Sequence, residues 1–275
     1  MASKSNPTLA KRLILVTNNK GGVGKSVVSR ALADLYRSNR KPADIYDGDG
    51  GVGSLLTAYG TRDEAGRLLR EQDPAVGVGY YDIRSESTRN TLLDSLGSGA
   101  SIVMHDLAGG SLPEIKRIID DGDGVDGFLK VVERHGYRLT LLHVLSNVQG
   151  ATASVKEYLE VFGDRADHIA IINQVWGKRT SDFPFWFGYD KPDQANPETV
   201  IKVGGNTRAA LLKNGAEIEF PSLQPGAFAK VENLNIPYSK AVENKDLSVT
   251  ENGQLESFIE RTQAAFLQVA NKLGM

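Results

Sequence analysis

Two lysines five positions apart, Lys20 and Lys25, bracket three glycines, Gly21, Gly22 and Gly24, and a hydroxyl follows at Ser26. These residue types at this spacing suit a phosphorylated ligand. The glycines let the backbone wrap close to an anion and turn several N–H groups inward. A helical pattern beginning near Val27 adds its positive N-terminal end. Lys25 can reach terminal phosphates as a charge, and the Ser26 hydroxyl can ligate Mg²⁺. The phosphate-holding backbone is therefore assigned to Gly21, Gly22, Val23, Gly24, Lys25, Ser26 and Val27. An apolar run, Leu13 to Val16, leads into the loop, so the context is strand, glycine turn, helix. The strict phosphate-loop pattern requires glycine at 19, where the chain has Asn19 followed by Lys20.

Two further segments end in carboxylates. The stretch Ala43 to Asp47 reads as a strand and runs into Asp47-Gly48-Asp49-Gly50. Carboxylates at the carboxyl end of a strand, beside a phosphate loop, lie where open α/β sheets bind ligands. The apolar run Ala100 to Leu107 ends in Asp106-Leu107-Ala108-Gly109-Gly110, a carboxylate with small residues after it.

The Lys-Gly-Gly-Val-Gly-Lys-Ser segment resembles the ParA/MinD family of deviant-Walker ATPases, whose members form nucleotide-sandwich dimers. The resemblance implies ATP and Mg²⁺ as cofactors and a homodimer when ATP is bound. It implies that Lys20 crosses to the partner's ATP, that Asp47 organises the Mg²⁺ shell and that Asp49 positions the attacking water. Asp106-Leu107-Ala108-Gly109 matches the family's Asp-x-Ala-Gly, a second Mg²⁺-organising carboxylate with a switch loop behind it. Lys20, Lys25 and Asp49 form the expected catalytic set, and Ser26, Asp47 and Asp106 the expected metal set. Asn173, ending a later strand, falls where the family recognises adenine; an amide offers donor and acceptor together.

Two biological uses follow from the resemblance. A ParA-like partition or cargo-positioning ATPase would bind non-specific DNA as the ATP dimer, with weak hydrolysis stimulated by an activator or adaptor protein. Lys202, Arg208, Lys213, Lys230 and Lys240 are candidates for a basic strip. A MinD-like membrane-cycling regulator is the alternative, favoured by Asp-x-Asp-x-Gly. The C-terminal helix expected over 252–273 disfavours membrane binding, because Glu256, Glu260, Arg261, Gln268 and Lys272 give its polar side little cationic bias.

Composition sets bounds on these readings. The 275 residues are 40% hydrophobic with a net charge of −2, enough for a full core and against wholesale polyanion binding. Cysteine is absent, which excludes disulfides, thiolate-held metals and the iron–sulfur branch of the superfamily. No apolar run approaches the ~20 residues of a membrane span. The expectation is a cytoplasmic protein, nucleoid-associated when ATP-bound if ParA-like. Alternating strand-like and helix-like stretches predict an α/β fold, a doubly wound, mostly parallel sheet flanked by helices, as a single domain over 11–275 behind a flexible tail, 1–10. Helices are expected at 27–38, 61–72, 86–96, 152–162 and near 206–214. Strands are expected at 76–83, 139–145, 168–175, 199–203 and near 220–223. The aromatic-rich insertion 176–192 is expected to fold back onto the core, and His105 and His143 to face packed interior. Asp120 to Gly124 reads as an acidic turn.

Overall fold

The structure, a computed structural model, describes residues 11–50, 53–196 and 198–275. The tail expected over 1–10 lies outside the described residues.

The first strand, β1 (Lys11–Thr17), is buried from Leu13 through Val16, so it reads as continuously apolar rather than alternating. Helix α1 (Lys25–Ser38) starts at the glycine loop, and β2 (Asp44–Gly48) returns beside it. Then come α2 (Ser54–Tyr59), a two-residue β3 (Gly79–Tyr80), α3 (Thr91–Asp94) and β4 (Ile102–Leu107). Short helices α4 (Leu112–Arg117) and α5 (Asp126–Arg134) lead to β5 (Tyr137–Leu145), α6 (Gln149–Phe162) and β6 (Asp167–Asn173). The aromatic stretch holds α7 (Pro184–Phe187) and β7 (Tyr189–Pro192); β8 (Val200–Val203) and α8 (Asn206–Leu211) follow. The chain closes with β9 (Ala216–Phe220), α9 (Pro225–Leu234), α10 (Tyr238–Ala241) and α11 (Val249–Leu267).

Seven strands form one parallel sheet in the order β3-β2-β4-β1-β5-β6-β9. Period-two alternation splits its side chains between two cores. Ile14, Val16, Ile45 and Met104 face α1 and the C-terminal helices, whereas Leu13, Leu15 and Val103 face the side covered by α3, α4 and α5. The glycine loop leaves β1 where the chain first crosses to β2 on one side and later to β5 on the other. That switch point opens a crevice at the carboxyl ends of the strands.

Several expected elements differ. Residues 61–72 form turns, not a helix, because Asp63 captures the Arg67 backbone N–H at 2.9 Å and Gly66 adopts φ +77°. The strand expected over 76–83 is the two-residue β3 with an isolated bridge from Asp82 to Asp49 beyond it, and the helix expected over 86–96 is α3 plus a 3-10 turn, Ser95–Ser98. The strand expected over 199–203 is β8, which pairs antiparallel with β7 outside the main sheet. The last strand of the sheet is β9, finished by Pro221 rather than starting near it. The C-terminal helix begins earlier than 252, at Val249, where Ser248 and Glu251 make a reciprocal capping box, and it gives way after Leu267 to a 3-10 turn, Ala270–Lys272. Its Leu255, Phe258 and Phe266 are buried in the core. The aromatic stretch folds back only in part: Phe183 and Trp186 are buried, with Trp186 Nε1 donating to Glu217 at 3.1 Å, whereas Trp176 and Tyr189 stay exposed.

Candidate functional site

The loop between β1 and α1 is shaped by backbone that only glycine adopts readily. Gly22 has φ +75° and Gly24 φ +101°, and a Cβ on Gly24 would stand 2.3 Å from Asn173 Nδ2. Asn18, buried just before the loop, fixes where it starts. Its Nδ2 donates to the carbonyls of Val144 and Ala151, each at 3.0 Å, and its Oδ1 accepts from Lys20 N at 2.9 Å. Nothing in the loop motif marks Asn18; an Asn directly after an apolar strand was the one available signal.

Lys25 is the first residue of α1, so its side chain arches back over the loop. Its Nζ donates to the carbonyls of Asn18 at 3.2 Å and Lys20 at 3.4 Å. Burial lowers its pKa, opposed by the charges of Asp106 and Asp49. A buried ammonium whose hydrogen bonds go to neutral carbonyls still favours an anion within reach. Lys20 is exposed and makes no ion pair among the described residues; its stem lies by Gly150 at the start of α6. Ser26 lies on the first turn of α1, beside Lys25.

Asp47 and Asp106 are register partners on the adjacent strands β2 and β4, so both carboxylates emerge on the α1 face. Asp47 is fully buried, its oxygens accepting from the backbone N–H groups of Asp49 and Leu56, each at 3.2 Å. Burial raises its pKa. Gly53 is needed here, since a Cβ would come within 1.9 Å of Asp47 Oδ2. Burial and then the charge of Asp47 push Asp106 up to about 7, with Ser26, Ser29 and Lys25 pulling the other way. Asp106 Oδ1 is buried without a hydrogen-bond partner. An unpartnered buried carboxylate oxygen beside a second carboxylate fits a cation. No group of three or more His, Cys, Asp or Glu able to hold a metal occurs among the described residues. The protein would thus supply only part of a Mg²⁺ shell, as Mg²⁺ bound with phosphates requires.

A cleft of about 510 Å³ has Gly21, Gly24, Lys25, Ser26, Asp49 and Asp106 on its walls, whereas Asp47, Lys20 and Asn173 do not line it. A larger cleft of about 860 Å³ runs between α6 and the α7–β8 region, but it has neither the glycine loop nor the paired carboxylates. Chemistry, not size, selects the smaller one. Asp49 is half exposed and pairs with Arg84 at 2.9 Å. Asn173 is buried, donating from Nδ2 to the Val23 carbonyl at 2.9 Å and accepting from Val175 N at 3.2 Å. It is placed against the loop, with one amide hydrogen already committed. His105 points to the opposite face from Asp106, between Tyr81 and Ser95, and burial lowers its pKa to about 3. Of the basic-strip candidates, Arg208 is paired with Glu217 and Lys230 with Glu251.

No protein-family model matches the chain. It is 33% identical over 98 residues to the cytosolic Fe–S cluster assembly factor CFD1 of Yarrowia lipolytica, which is 35% of this chain and 31% of that protein. The chain therefore spans about a third of the length of the curated relative it matches. This chain has no cysteine to offer a cluster. Among solved structures, the septum site-determining protein MinD of Pyrococcus horikoshii, complexed with Mg-ADP, is similar with a TM-score of 0.50 and 14% identity, over 95% of this chain and 98% of that one. The cell division ATPase MinD of Pyrococcus furiosus gives a TM-score of 0.48 and 16% identity, over 91% of this chain and 98% of that one. The pNOB8 ParA bound to nonspecific DNA gives 0.41 and 15%, over 62% of this chain and 71% of that one. At such identities the likeness concerns the fold. With its parallel seven-stranded sheet and its glycine loop between β1 and α1, this chain has an α/β P-loop fold, the fold it shares with the Pyrococcus horikoshii protein.

Proposed function

We propose that the chain is a Mg²⁺-dependent ATPase that works as an ATP-driven dimerisation switch, in plasmid or chromosome partition or in positioning intracellular cargo on DNA. The observation that carries this reading is buried Asp106, register partner of Asp47, lining one cleft with the glycine loop and Lys25. The Gly21–Val27 backbone and Lys25 hold the phosphates, and Ser26, Asp47 and Asp106 hold the Mg²⁺. The metal supplies charge neutralisation on the transferring phosphoryl group. Asp49 orients water at the cleft mouth. Asn173 keeps one amide hydrogen and one oxygen lone pair for adenine. Lys20, exposed and without an ion pair among the described residues, is the cation a second copy would receive. Hydrolysis is then slow in the monomer and open to stimulation by a partner protein.

Lys25→Ala is expected to abolish nucleotide binding and turnover. Lys20→Ala should keep nucleotide binding but lose turnover and ATP-dependent dimerisation, read by analytical ultracentrifugation with a slowly hydrolysed ATP analogue. Normal turnover in both variants would overturn the reading. The DNA role predicts ATP-dependent retention that falls steeply with salt. The membrane alternative is disfavoured by α11, whose apolar stripe is occupied in the core. Liposome co-sedimentation on the same preparation separates the two.

A further inference from the structure

Arg84 belongs to no motif, yet it spans the mouth of the nucleotide cleft. Its Nη1 donates to Asp49 Oδ1 at 2.9 Å and its Nη2 to the Gly109 carbonyl at 3.2 Å. One guanidinium thus ties the turn after β2 to the turn after β4. Both turns border the cleft that Lys25 and Ser26 line, and Arg84 is close enough to Lys25 to act on its charge.

The two ends of this side chain are held differently. The backbone beneath it is fixed: Arg84 N donates to Asp82 Oδ1 at 2.9 Å, Ile83 N to the Gly48 carbonyl at 3.2 Å, and Gly50 N to the Tyr81 carbonyl at 3.0 Å. The guanidinium, by contrast, is 52% exposed and its carboxylate partner 49% exposed. An ion pair this open to water is weak and exchanges readily. A terminal phosphate accepts the same two-pronged fork as a carboxylate and carries more negative charge, so it can outcompete Asp49 for the guanidinium.

We infer that Arg84 is a terminal-phosphate sensor acting within its own chain, its guanidinium leaving Asp49 and the Gly109 carbonyl for the last phosphate of a nucleoside triphosphate. The inference rests on the nucleotide reading of the cleft. The exchange does two things at once. It frees the Asp49 carboxylate to accept from water, and it releases the Gly109 turn from the turn after β2. A nucleoside diphosphate, one phosphate shorter, leaves the Arg84–Asp49 tie in place. No bond is made or broken in this step; the guanidinium changes acceptors.

The test is calorimetric binding of Mg-ATPγS and of Mg-ADP to the full chain and to Arg84→Ala, Arg84→Lys, Asp49→Asn and Lys25→Ala. Arg84→Ala should weaken ATPγS about 10- to 100-fold while leaving ADP within about twofold, the loss of one charge-assisted contact. Arg84→Lys should recover only part, since lysine lacks the fork. Asp49→Asn, which removes the competing carboxylate, should tighten ATPγS and leave ADP unchanged. Equal weakening of both nucleotides by Arg84→Ala, or no change in either, would sink the sensor. If Lys25→Ala also binds both nucleotides normally, the nucleotide reading itself fails, an outcome distinct from failure of Arg84 alone.

Discussion

At the amino ends of the strands one carboxylate pairs with three cations, whereas at the carboxyl ends two buried carboxylates, Asp47 and Asp106, pair with none among the described residues. Asp167, opening β6, accepts from Arg12 at 2.6 Å, Lys272 at 3.3 Å and Arg138 at 3.5 Å. Burial by itself would raise its pKa, but Lys272, Arg138 and Arg12 hold it below the ordinary value. At the other end Asp47 and Asp106 crowd each other, both pKa values are raised, and Lys25 spends its hydrogen bonds on backbone carbonyls. The same sheet thus carries a satisfied charge cluster at one edge and an unsatisfied one at the other. Stability accounts for the first. The second works against stability, and a bound nucleotide with its metal would relieve it.

Asp106→Asn should separate the two ends of the sheet most strongly. Turnover should fall at least about 100-fold if the carboxylate holds the catalytic metal. The folded protein should nonetheless gain on the order of 1 kcal/mol at pH 8, since a buried like charge is gone. Because the folded pKa of Asp106 lies above its unfolded value, that gap should be largest above about pH 7 and close toward about pH 4. Urea unfolding at several pH values measures it, and a variant less stable at pH 8 would contradict the strain.

Asp167→Asn should do the reverse, losing about 2 kcal/mol at neutral pH with turnover unchanged. The folded pKa of Asp167 is depressed, so its contribution is full above the ordinary value of about 3.9 and vanishes as pH falls through the depressed one. Equal stability of variant and parent at pH 7 would remove the amino-end half of the comparison.

A smaller effect separates both ends from the middle of the sheet. There His143 and His168 stack 5.2 Å apart and share a hydrogen bond of 2.9 Å, His168 reaching on to the Gly163 carbonyl. Burial lowers both pKa values, so the unfolded chain binds protons first. Stability should drop below about pH 6.5, each histidine contributing up to about 1.4 kcal/mol per pH unit. Replacing both histidines by leucine should remove their share of that slope in thermal melts and leave the share of buried His105. The smallest effect is expected at Lys230, half exposed and paired with Glu251 at 2.8 Å: Lys230→Ala should stay within about 0.5 kcal/mol by denaturant titration.

How much of this was legible in the chain varies with the range of the forces involved. Long apolar strands such as β1 and β5, and the helices after them, follow from local pattern, because burial on both faces demands unbroken apolar runs. Residues 61–72 failed as a helix because one side-chain-to-backbone bond at Asp63 and one glycine outweighed a charged, weakly periodic stretch. The glycine loop was legible because its chemistry is contained in seven consecutive residues. Asn18 was not: its partners, Val144 and Ala151, lie 126 and 133 residues away. Arg84 was equally silent, since it meets Asp49 and Gly109 only after β2, β3 and β4 are folded side by side.

Residue type and local backbone conformation suffice for the glycine loop, for the order of strand and helix around it, and for the absence of thiolates, so these were readable from consecutive residues. Only the tertiary structure decided that Asp47 and Asp106 are register neighbours on one face, that α11 spends its apolar stripe inside, and that a guanidinium bridges the cleft. Those are consequences of strand register and close packing, which no window of consecutive residues contains.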